Sequence, residues 1–258
     1  MTVRTYSEDN DTVRVIELAP ATAGGLNVIN DATLTAISQH CRKADADSAV
    51  RVIVLCAQGK HFAVGADVRE LSAKNKQQLQ NDKRRDNWQA IAAISKPIIA
   101  AVQGSALGAG NELVMLCDLV FCDEQAQFGQ PEIKLGLIPG AGGTQRLPRI
   151  AGKARAMQMA LTGKALSATD AKQCGMVCAV CKTELLLETA VAEAKKIAAL
   201  SPLAVRAAKQ CILATQNTSL ADGLALEYQH FSDLAESKDR AEGIRAFLEK
   251  RAPRFTGK

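Results

Sequence analysis

The pattern of hydrophobic and polar positions divides the chain into two parts. In the first part, apolar runs alternate with stretches of helical periodicity, and the run VRVIVLCA at residues 50–57 is too continuous for either face to meet water. This alternation predicts an α/β fold in which the strands pair mostly in parallel. After about Thr183, four helical patterns follow one another with no strand between them. We therefore predict an α/β core at residues 1–195 and a C-terminal helical section at residues 196–258.

Composition and charge narrow the possible classes of function. The 258 residues, 47% hydrophobic and 23% charged, predict one large folded domain rather than a disordered chain. The net charge of +5 suits anionic small molecules without requiring nucleic acid, and aromatic residues, at 3%, leave little material for stacking on bases. No apolar run reaches membrane-spanning length, and the first residues lack the apolar segment of a secretory signal. We expect a soluble, cytoplasmic protein with neither a membrane nor nucleic acid as its partner.

The eight cysteines raise the question of a metal centre. Most of them lie singly inside apolar runs, as Cys56 and Cys117 do, which predicts buried thiols in a reducing compartment. Cys174, Cys178 and Cys181 have the C-x3-C-x2-C spacing that also occurs in enzymes with an iron–sulfur cluster and S-adenosylmethionine. Here the spacing falls late in the chain, between a helical and a strand-like stretch. We therefore predict that these thiols are packing residues and that no metal is bound.

Small residues precede two of the predicted helices. Gly108–Gly110 leads into the apolar helical run NELVML, and Gly65–Asp67 opens the stretch VREL. The first N–H groups of a helix have no partner within the helix, and the helix dipole is positive there. Small residues also let a ligand come close to the backbone. Two such loops, each directing one N–H group at the same oxygen, would form an oxyanion site, although a glycine before a helix is usually plain turn chemistry.

Two carboxylates lie in the most apolar part of the chain. Glu112 is one turn into the first of these helices, and Glu132 stands in a loop before the glycine-rich turn Pro139–Gly143. The alternating apolar residues of Ile133–Leu137 predict that this second segment is buried. Carboxylates are rarely buried unless something pairs with them. A single solvated glutamate would need no explanation, but two acids, each beside a glycine-rich helix start, indicate a functional pair.

Three of these segments together resemble the enoyl-CoA hydratase/isomerase family, the crotonases. They are FAVGADVREL at residues 62–71, SALGAGNELVMLCDLVF at 105–121 and AQFGQPEIKLGLIPGAGGTQRLPRIAGKARAMQMALTG at 126–163. The resemblance extends from about Val13 to the C-terminal residues, and so covers nearly the whole chain. It implies a spiral of ββα units with a helical C-terminal section used for trimerisation, in a trimer or a dimer of trimers. It also implies an acyl-CoA substrate and no separate cofactor, because coenzyme A is part of the substrate.

The resemblance assigns a catalytic role to four residues. It implies that the backbone N–H groups of Ala66 and Ala109 form the oxyanion hole, although the family usually has glycine in the place of Ala109. Glu112 matches the base that acts on water, and Glu132 matches the acid that delivers a proton to the substrate Cα. Both glutamates together are the pattern of a hydratase, which converts a 2-enoyl-CoA into a 3-hydroxyacyl-CoA. Members that only move a double bond commonly keep the second acid alone, so an isomerase is the alternative within the family.

The resemblance also implies six substrate-binding residues, two of which, near the C-terminus, reach the coenzyme A of a neighbouring subunit. The six are Gly65, Asp67, Gly108, Gly140, Phe231 and Lys250. The loop LAPATAGGLN at residues 18–27 departs from the Asn-Arg-Pro that the family often has there, so its contact with coenzyme A is left open.

The segment Leu71–Ile91 is expected to shape the acyl pocket, and most of it follows one helical pattern. It contains Lys74, Lys76, Lys83, Arg84, Arg85 and Trp88. The sequence is especially similar to bacterial family members that hydrate 2,3-dehydroadipyl-CoA in phenylacetate breakdown, and a cation here would then pair with the distal carboxylate. The alternative is a short-chain hydratase of fatty-acid β-oxidation. A non-enzymatic RNA-binding relative would have to use the basic stretch at residues 75–87, which lacks a close aromatic pair.

Overall fold

The computed structural model describes residues 1–258, and strands alternate with helices along the first part of the chain as predicted. The nine strands, numbered β1 to β9 in chain order, are Thr2–Glu8, Val13–Ala19, Val52–Ala57, Ile98–Val102, Ser105–Leu107, Leu119–Asp123, Gln127–Gly129, Leu166–Ser167 and Ala179–Cys181. The twelve α-helices, numbered α1 to α12, are Asp31–Ala46, Val68–Ser72, Lys76–Gln80, Arg84–Ala92, Ala109–Val114, Gly143–Ala151, Lys153–Thr162, Ala168–Gln173, Leu186–Ala198, Pro202–Ala214, Leu220–Asp233 and Lys238–Leu248. Three short 3-10 helices are Glu132–Leu135, Thr183–Leu185 and Leu234–Glu236.

The strands form two sheets. Six strands make the larger one, in the order β1-β2-β3-β4-β6-β9, and every pair in it is parallel except β1 with β2. The smaller sheet has the order β5-β7-β8, with β5 and β7 parallel. Strand β4 is buried throughout and β3 almost throughout, as expected for central strands covered on both faces. The predicted α/β class with mostly parallel pairing is therefore confirmed.

Both faces of the larger sheet are covered by helices. On one face, Leu34 and Ile37 of helix α1 join the main apolar core. On the other face, helix α9 presents three buried alanines four residues apart, Ala190, Ala194 and Ala198, to the strands. Their small side chains line one face of the helix and allow it to lie close to the sheet. The predicted boundary at residues 195/196 falls within this helix, and the division into core and helical section stays a prediction.

The last three helices are tied to the core by buried polar contacts. Lys209 of α10 places its ammonium group 2.7 Å from the Asp118 carboxylate and donates to the Lys96 carbonyl at 2.8 Å. The Arg51 guanidinium donates to the carbonyls of Ala198 and Phe255, at 2.8 and 2.9 Å. These helices nevertheless keep a row of large exposed apolar side chains. They include Leu220, Tyr228, Phe231, Phe247 and Leu248.

No single helix is long and apolar enough to cross a membrane. One pair of helical segments, Thr183–Ala198 with Pro202–Ala214, reaches that length and composition only when both are counted together, and it is bent by 110°.

Two expectations about local structure are wrong. The single helical pattern within the Leu71–Ile91 segment is two short helices, α3 and α4, because the chain breaks at Asn81 and restarts where the Asp82 carboxylate accepts the N–H of Arg84 at 3.0 Å. The residues Ile133, Leu135 and Leu137 are exposed, although their alternation predicts burial. Ile133 and Leu135 belong to a 3-10 helix that ends at the left-handed Gly136, and Leu137 follows it, so the segment is not a strand with one buried face.

The cysteine prediction is partly wrong. Cys174 and Cys181 pack against the apolar clusters, but Cys178 is exposed. No group of three or more His, Cys, Asp or Glu side chains is placed to hold a metal ion. The C-x3-C-x2-C spacing therefore does not bring its three thiols into one ligand set, because helix α8 ends at Gln173 and the chain turns into β9 between them.

Candidate active site

A cavity of about 490 Å³ lies where the two glycine-rich loops meet the segment that contains Glu132. Its walls come from residues 64–71, 79–88, 108–112 and 131–141. Both predicted catalytic glutamates line it, as do Ala66 and Ala109. The structure therefore brings together four residues that lie in three separate parts of the sequence.

The backbone at Ala66 and Ala109 presents N–H groups that no backbone acceptor takes. At Ala66, the parallel bridge to Ile29 uses the carbonyl of Gly65 and the N–H of Asp67, which leaves the N–H of Ala66 directed away from that bridge. Ala109 is the first residue of helix α5, so its N–H has no intrahelical partner. Both residues line the same cavity.

Glycine is required at two positions beside these donors. Gly108 has φ +51°, and a Cβ there would come within 2.9 Å of Glu132 Oε1. A Cβ at Gly110 would lie 2.3 Å from the Ala63 carbonyl oxygen, which is a backbone clash. The loop can therefore approach both Glu132 and the Ala63 strand segment only because these side chains are missing.

Glu112 is held by the backbone of the glycine-rich turn. It lies in helix α5, all of whose residues are buried, and its own exposure is 3%. Its Oε1 atom accepts two hydrogen bonds, from the N–H groups of Ala141 at 2.7 Å and Gly143 at 2.8 Å. Arg146, one turn later, donates to the Ala141 carbonyl at 2.8 Å and so fixes the same turn. The other carboxylate oxygen of Glu112 accepts no hydrogen bond from the protein.

Glu132 is held by a side chain instead. It begins the 3-10 helix after Pro131 and is half-buried. The fully buried amide of Gln130 faces it, and with its nitrogen toward Glu132 it donates to both carboxylate oxygens, at 2.9 and 3.1 Å. Only this orientation of the amide gives both of its polar atoms complementary neighbours.

Both carboxyl groups have raised pKa values because both are buried, and they differ in the groups that oppose or add to this effect. Burial raises the pKa of Glu112, whereas the N–H groups of Gly143 and Ala141 and the charge of Arg146 lower it. Burial raises the pKa of Glu132 to about 7; its own backbone N–H opposes the rise, and the charge of Glu112 adds to it. Glu132 is therefore close to half-protonated at neutral pH, and it suits the role of a proton donor.

The other predicted substrate-binding residues are found in different places. Gly65, Gly108 and Gly140 line the cavity. Asp67 does not line it; its carboxylate caps helix α2 by accepting the N–H of Arg69 at 2.9 Å. Phe231 lies on the exposed face of helix α11, and the exposed Lys250 follows α12 with φ +54°. Contacts of these last two with a neighbouring subunit's coenzyme A stay a prediction.

Sequence reasoning missed two residues that hold the glutamates. Gln130 stands two positions before Glu132, and Arg146 follows the glycine-rich turn by three residues. A polar residue inside an apolar run beside a carboxylate is the signal that marks Gln130. Arg146 has no comparable signal, because its contact with the turn depends on how helix α6 begins.

A site with two carboxylates and two backbone N–H groups that no protein acceptor takes suits acid–base catalysis. The N–H groups can stabilise negative charge on a substrate oxygen while the carboxyl groups move protons. The family model for enoyl-CoA hydratase/isomerase matches residues 8–258. The chain is 45% identical over 245 residues to the 2,3-dehydroadipyl-CoA hydratase of Escherichia coli strain K12, a match that covers 95% of this chain and 96% of that protein. It is 44% identical over 246 residues to the mitochondrial enoyl-CoA hydratase of Pongo abelii, covering 95% and 84%.

A solved structure agrees with these matches. The crystal structure of an enoyl-CoA hydratase from Bacillus anthracis superimposes with a TM-score of 0.92 at 35% identity and covers 100% of both chains. The chain belongs to the enoyl-CoA hydratase/isomerase family. The predicted crotonase fold, with its C-terminal helices, is thereby confirmed.

Proposed function

We propose that this chain is an enoyl-CoA hydratase, a lyase that adds water across the 2,3-double bond of a trans-2-enoyl-CoA to give a 3-hydroxyacyl-CoA. The observation that carries the proposal is that one cavity is lined by two carboxylates and by the residues of two free backbone N–H groups. Relatives named as hydratases, 44% and 45% identical to this chain, support the same reaction.

The thioester carbonyl binds at the two N–H groups. As water adds to Cβ, electron density moves from the double bond onto the thioester oxygen, and the N–H groups of Ala66 and Ala109 stabilise it there. One well-directed donor of this kind contributes about 3–4 kcal/mol to the transition state. The methyl group of Ala109 does not remove the donor, because the donor belongs to the backbone.

The two glutamates move the protons. Glu112 accepts a proton from the water as its oxygen bonds to Cβ, and the free oxygen of the Glu112 carboxylate is the atom available for this. Glu132 then gives its proton to Cα, which restores the carbonyl and completes the addition. Positioned proton transfer of this kind accelerates a reaction roughly 10²- to 10⁴-fold. The raised pKa of Glu132, about 7, keeps a proton available near neutral pH.

The proposal extends to partners and context. The reaction calls for no cofactor, because coenzyme A arrives as part of the substrate. The exposed apolar side chains of helices α11 and α12 favour a homo-oligomer, a trimer or a dimer of trimers, in which Phe231 and Lys250 would reach the neighbouring subunit's substrate. We place the enzyme in the cytoplasm, in fatty-acid β-oxidation or phenylacetate degradation according to its acyl chain.

Hydration of crotonyl-CoA by the purified protein tests the proposal. We expect the ultraviolet absorbance of the conjugated thioester to fade rapidly with the unaltered protein. Glu112→Gln and Glu132→Gln should each lower kcat by roughly 10²- to 10⁴-fold, because each removes one proton-transfer group. Glu124→Gln is the matched control, since Glu124 is an exposed glutamate outside the cavity.

Two results would contradict the proposal. Full activity in Glu112→Gln together with turnover of a 3-enoyl-CoA would support an isomerase, which needs one acid only. An inactive but folded wild-type protein that binds RNA in a salt-dependent manner, even as Glu132→Gln, would support the non-enzymatic alternative.

A further inference from the structure

The cationic side chains of the Leu71–Ile91 segment differ in what they contact. The Lys74 ammonium lies 2.7 Å from the carboxylates of both Asp31 and Asp82. The Arg84 guanidinium lies 2.9 Å from Asp31 and 3.8 Å from Glu70. These two cations are mostly buried, and they hold helices α2 to α4 against helix α1. Their charges are matched within the protein and are not available to a ligand.

Arg85 is different, because it lines the cavity and forms no ion pair. None of its side-chain donors forms a hydrogen bond with the protein or lies within 4 Å of a carboxylate; only its backbone N–H is bonded, to the Asp82 carbonyl at 3.1 Å. The charged side chains beside it in the cavity wall, Asp82 and Arg84, are both ion-paired. The remaining lysines of the segment, Lys76 and Lys83, are absent from the cavity wall. Arg85 is thus the one cation of the segment that is both unpaired and exposed to the substrate cavity.

The surroundings of Arg85 fit an acyl chain that ends in a charge. Leu71, Leu79 and Trp88 supply apolar surface on the same wall for the methylene groups of the chain. The acidic residue of this wall, Asp82, is already bonded to Lys74, so it does not cancel the charge of Arg85. The catalytic glutamates lie on other segments of the cavity, at residues 108–112 and 131–141.

We propose that Arg85 binds the distal carboxylate of a dicarboxylic 2-enoyl-CoA and so makes this enzyme selective for acyl chains with a terminal carboxylate. The inference rests on the proposed hydratase function. A guanidinium offers a planar pair of N–H donors that matches a carboxylate, and such charge-assisted pairs are roughly twice as strong as neutral hydrogen bonds.

The matched substrates for the test are trans-hex-2-enedioyl-CoA and trans-hex-2-enoyl-CoA, which have the same chain length and differ in the terminal carboxylate. Arg85→Met keeps an unbranched apolar stem and removes the guanidinium with its charge. We expect it to lower kcat/KM for the dicarboxylic substrate roughly ten- to a hundredfold, mostly through KM, because one charged hydrogen-bonded contact is lost. The value for hexenoyl-CoA should change less than about twofold.

Two further variants separate charge from structure. Arg85→Lys keeps the charge without the planar pair of donors, so it should restore part of the selectivity. Lys83→Met removes an exposed cation two residues away that does not line the cavity, and it should leave both substrates unaffected.

Equal loss with both substrates in Arg85→Met would overturn the inference, because Arg85 would then bind coenzyme A, which both share. Unchanged selectivity would overturn it as well. These results leave the proposed hydration intact, since wild type still turns over hexenoyl-CoA.

Binding of the saturated adipyl-CoA and hexanoyl-CoA, measured by calorimetry, tests Arg85 without any reaction. Loss of hydration with every substrate would refute the proposed function, and equal affinity for the two saturated thioesters would refute the role of Arg85.

Discussion

The two glutamates of the cavity are held by different kinds of structure. Glu112 lies in a helix that is buried throughout and receives two backbone N–H groups from a turn about thirty residues later in the chain. Glu132 lies in an exposed 3-10 segment and depends on the amide of one neighbouring side chain, Gln130. Backbone donors are fixed by the fold, whereas a side-chain donor can be removed by one substitution.

This difference fits the opposite roles that we propose for the two carboxyl groups. Backbone N–H groups and Arg146 favour the ionised form of Glu112 and oppose the effect of burial, as a base requires. At Glu132, burial and the negative charge of Glu112 favour the protonated form, as an acid requires. Because the two groups interact, a pH profile reports the pair and not either residue alone.

The largest loss of activity is expected from disturbing the backbone turn whose N–H groups bind Glu112. In Gly143→Ala, the new Cβ would lie 2.6 Å from the Pro139 Cβ and 2.9 Å from the Gln130 amide, so the turn must shift. Because the N–H of Gly143 bonds to Glu112, we expect kcat for crotonyl-CoA to fall roughly a hundredfold, as misplacement by about 1 Å can cause. Crowding should also lower the free energy of unfolding by about 1–3 kcal/mol.

Gly223→Ala is the control for that substitution. Its nearest neighbour would be Thr218 Oγ1 at 3.6 Å, an ordinary contact within helix α11 and its start. A folded Gly143→Ala protein with unchanged kcat, measured beside this control, would show that the turn does not position Glu112.

A smaller loss of kcat is expected when the same turn is loosened indirectly, through Arg146. Arg146→Ala removes the donor to the Ala141 carbonyl and a positive charge that lowers the pKa of Glu112. We expect kcat to fall about tenfold, the worth of one charged hydrogen bond. In the proposed mechanism Glu112 works as an ionised base, so a higher pKa of Glu112 means that the acidic limb of the kcat profile moves to higher pH.

Arg149→Ala provides the comparison, because Arg149 lies on the same helix, is exposed and donates only to the Gln145 carbonyl. An acidic limb that stays in place in Arg146→Ala, or moves equally in both variants, would argue against a specific action of Arg146 on Glu112.

The smallest change in activity is expected from removing the side-chain amide that bonds to Glu132. Gln130→Leu removes the donors that favour the ionised form of Glu132, so the pKa of Glu132 should rise. In the proposed mechanism Glu132 works in its protonated form, so activity is lost as pH rises through its pKa. The basic limb should therefore move to higher pH, while kcat at neutral pH changes only a few-fold.

Gln127→Leu, at the exposed first residue of strand β7, which ends just before Gln130, should leave the profile unchanged. Movement of the basic limb of Gln130→Leu toward lower pH would mean that the Gln130 amide favours the protonated carboxyl instead.

Local sequence features predicted the parts of the site that local structure forms. The small residues before α2 and α5 and the two glutamates could be found because each lies in a recognisable loop or helix start. The bonds from Ala141 and Gly143 to Glu112 could not, because they join positions about thirty residues apart that only the fold brings together. The ion pair of Lys74 likewise depends on Asp31, which is far away in the chain. The local sequence therefore could not show which cation of the segment is paired and which, like Arg85, is not.

The error at Ile133–Leu137 has a physical cause. Apolar alternation indicates burial only where the backbone is extended, because only then do alternate side chains share a face. In this 3-10 segment, Leu135 and Leu137 line the substrate cavity instead of packing in the core. The C-x3-C-x2-C spacing misleads in a similar way, since a spacing places ligands together only when the intervening chain folds back on itself.

The short helices α2 to α4, which line one wall of the cavity, have one further consequence. Helices α2 and α3 contain no buried residue, and α4 contains only Ile91. Mutations on this wall therefore change little of what keeps the protein folded, whereas those at Gly110 or Glu112 meet the packed interior. Natural or directed evolution can then change the acyl preference through substitutions at Leu71, Leu79 or Arg85, while the two glutamates and the backbone around them stay unchanged.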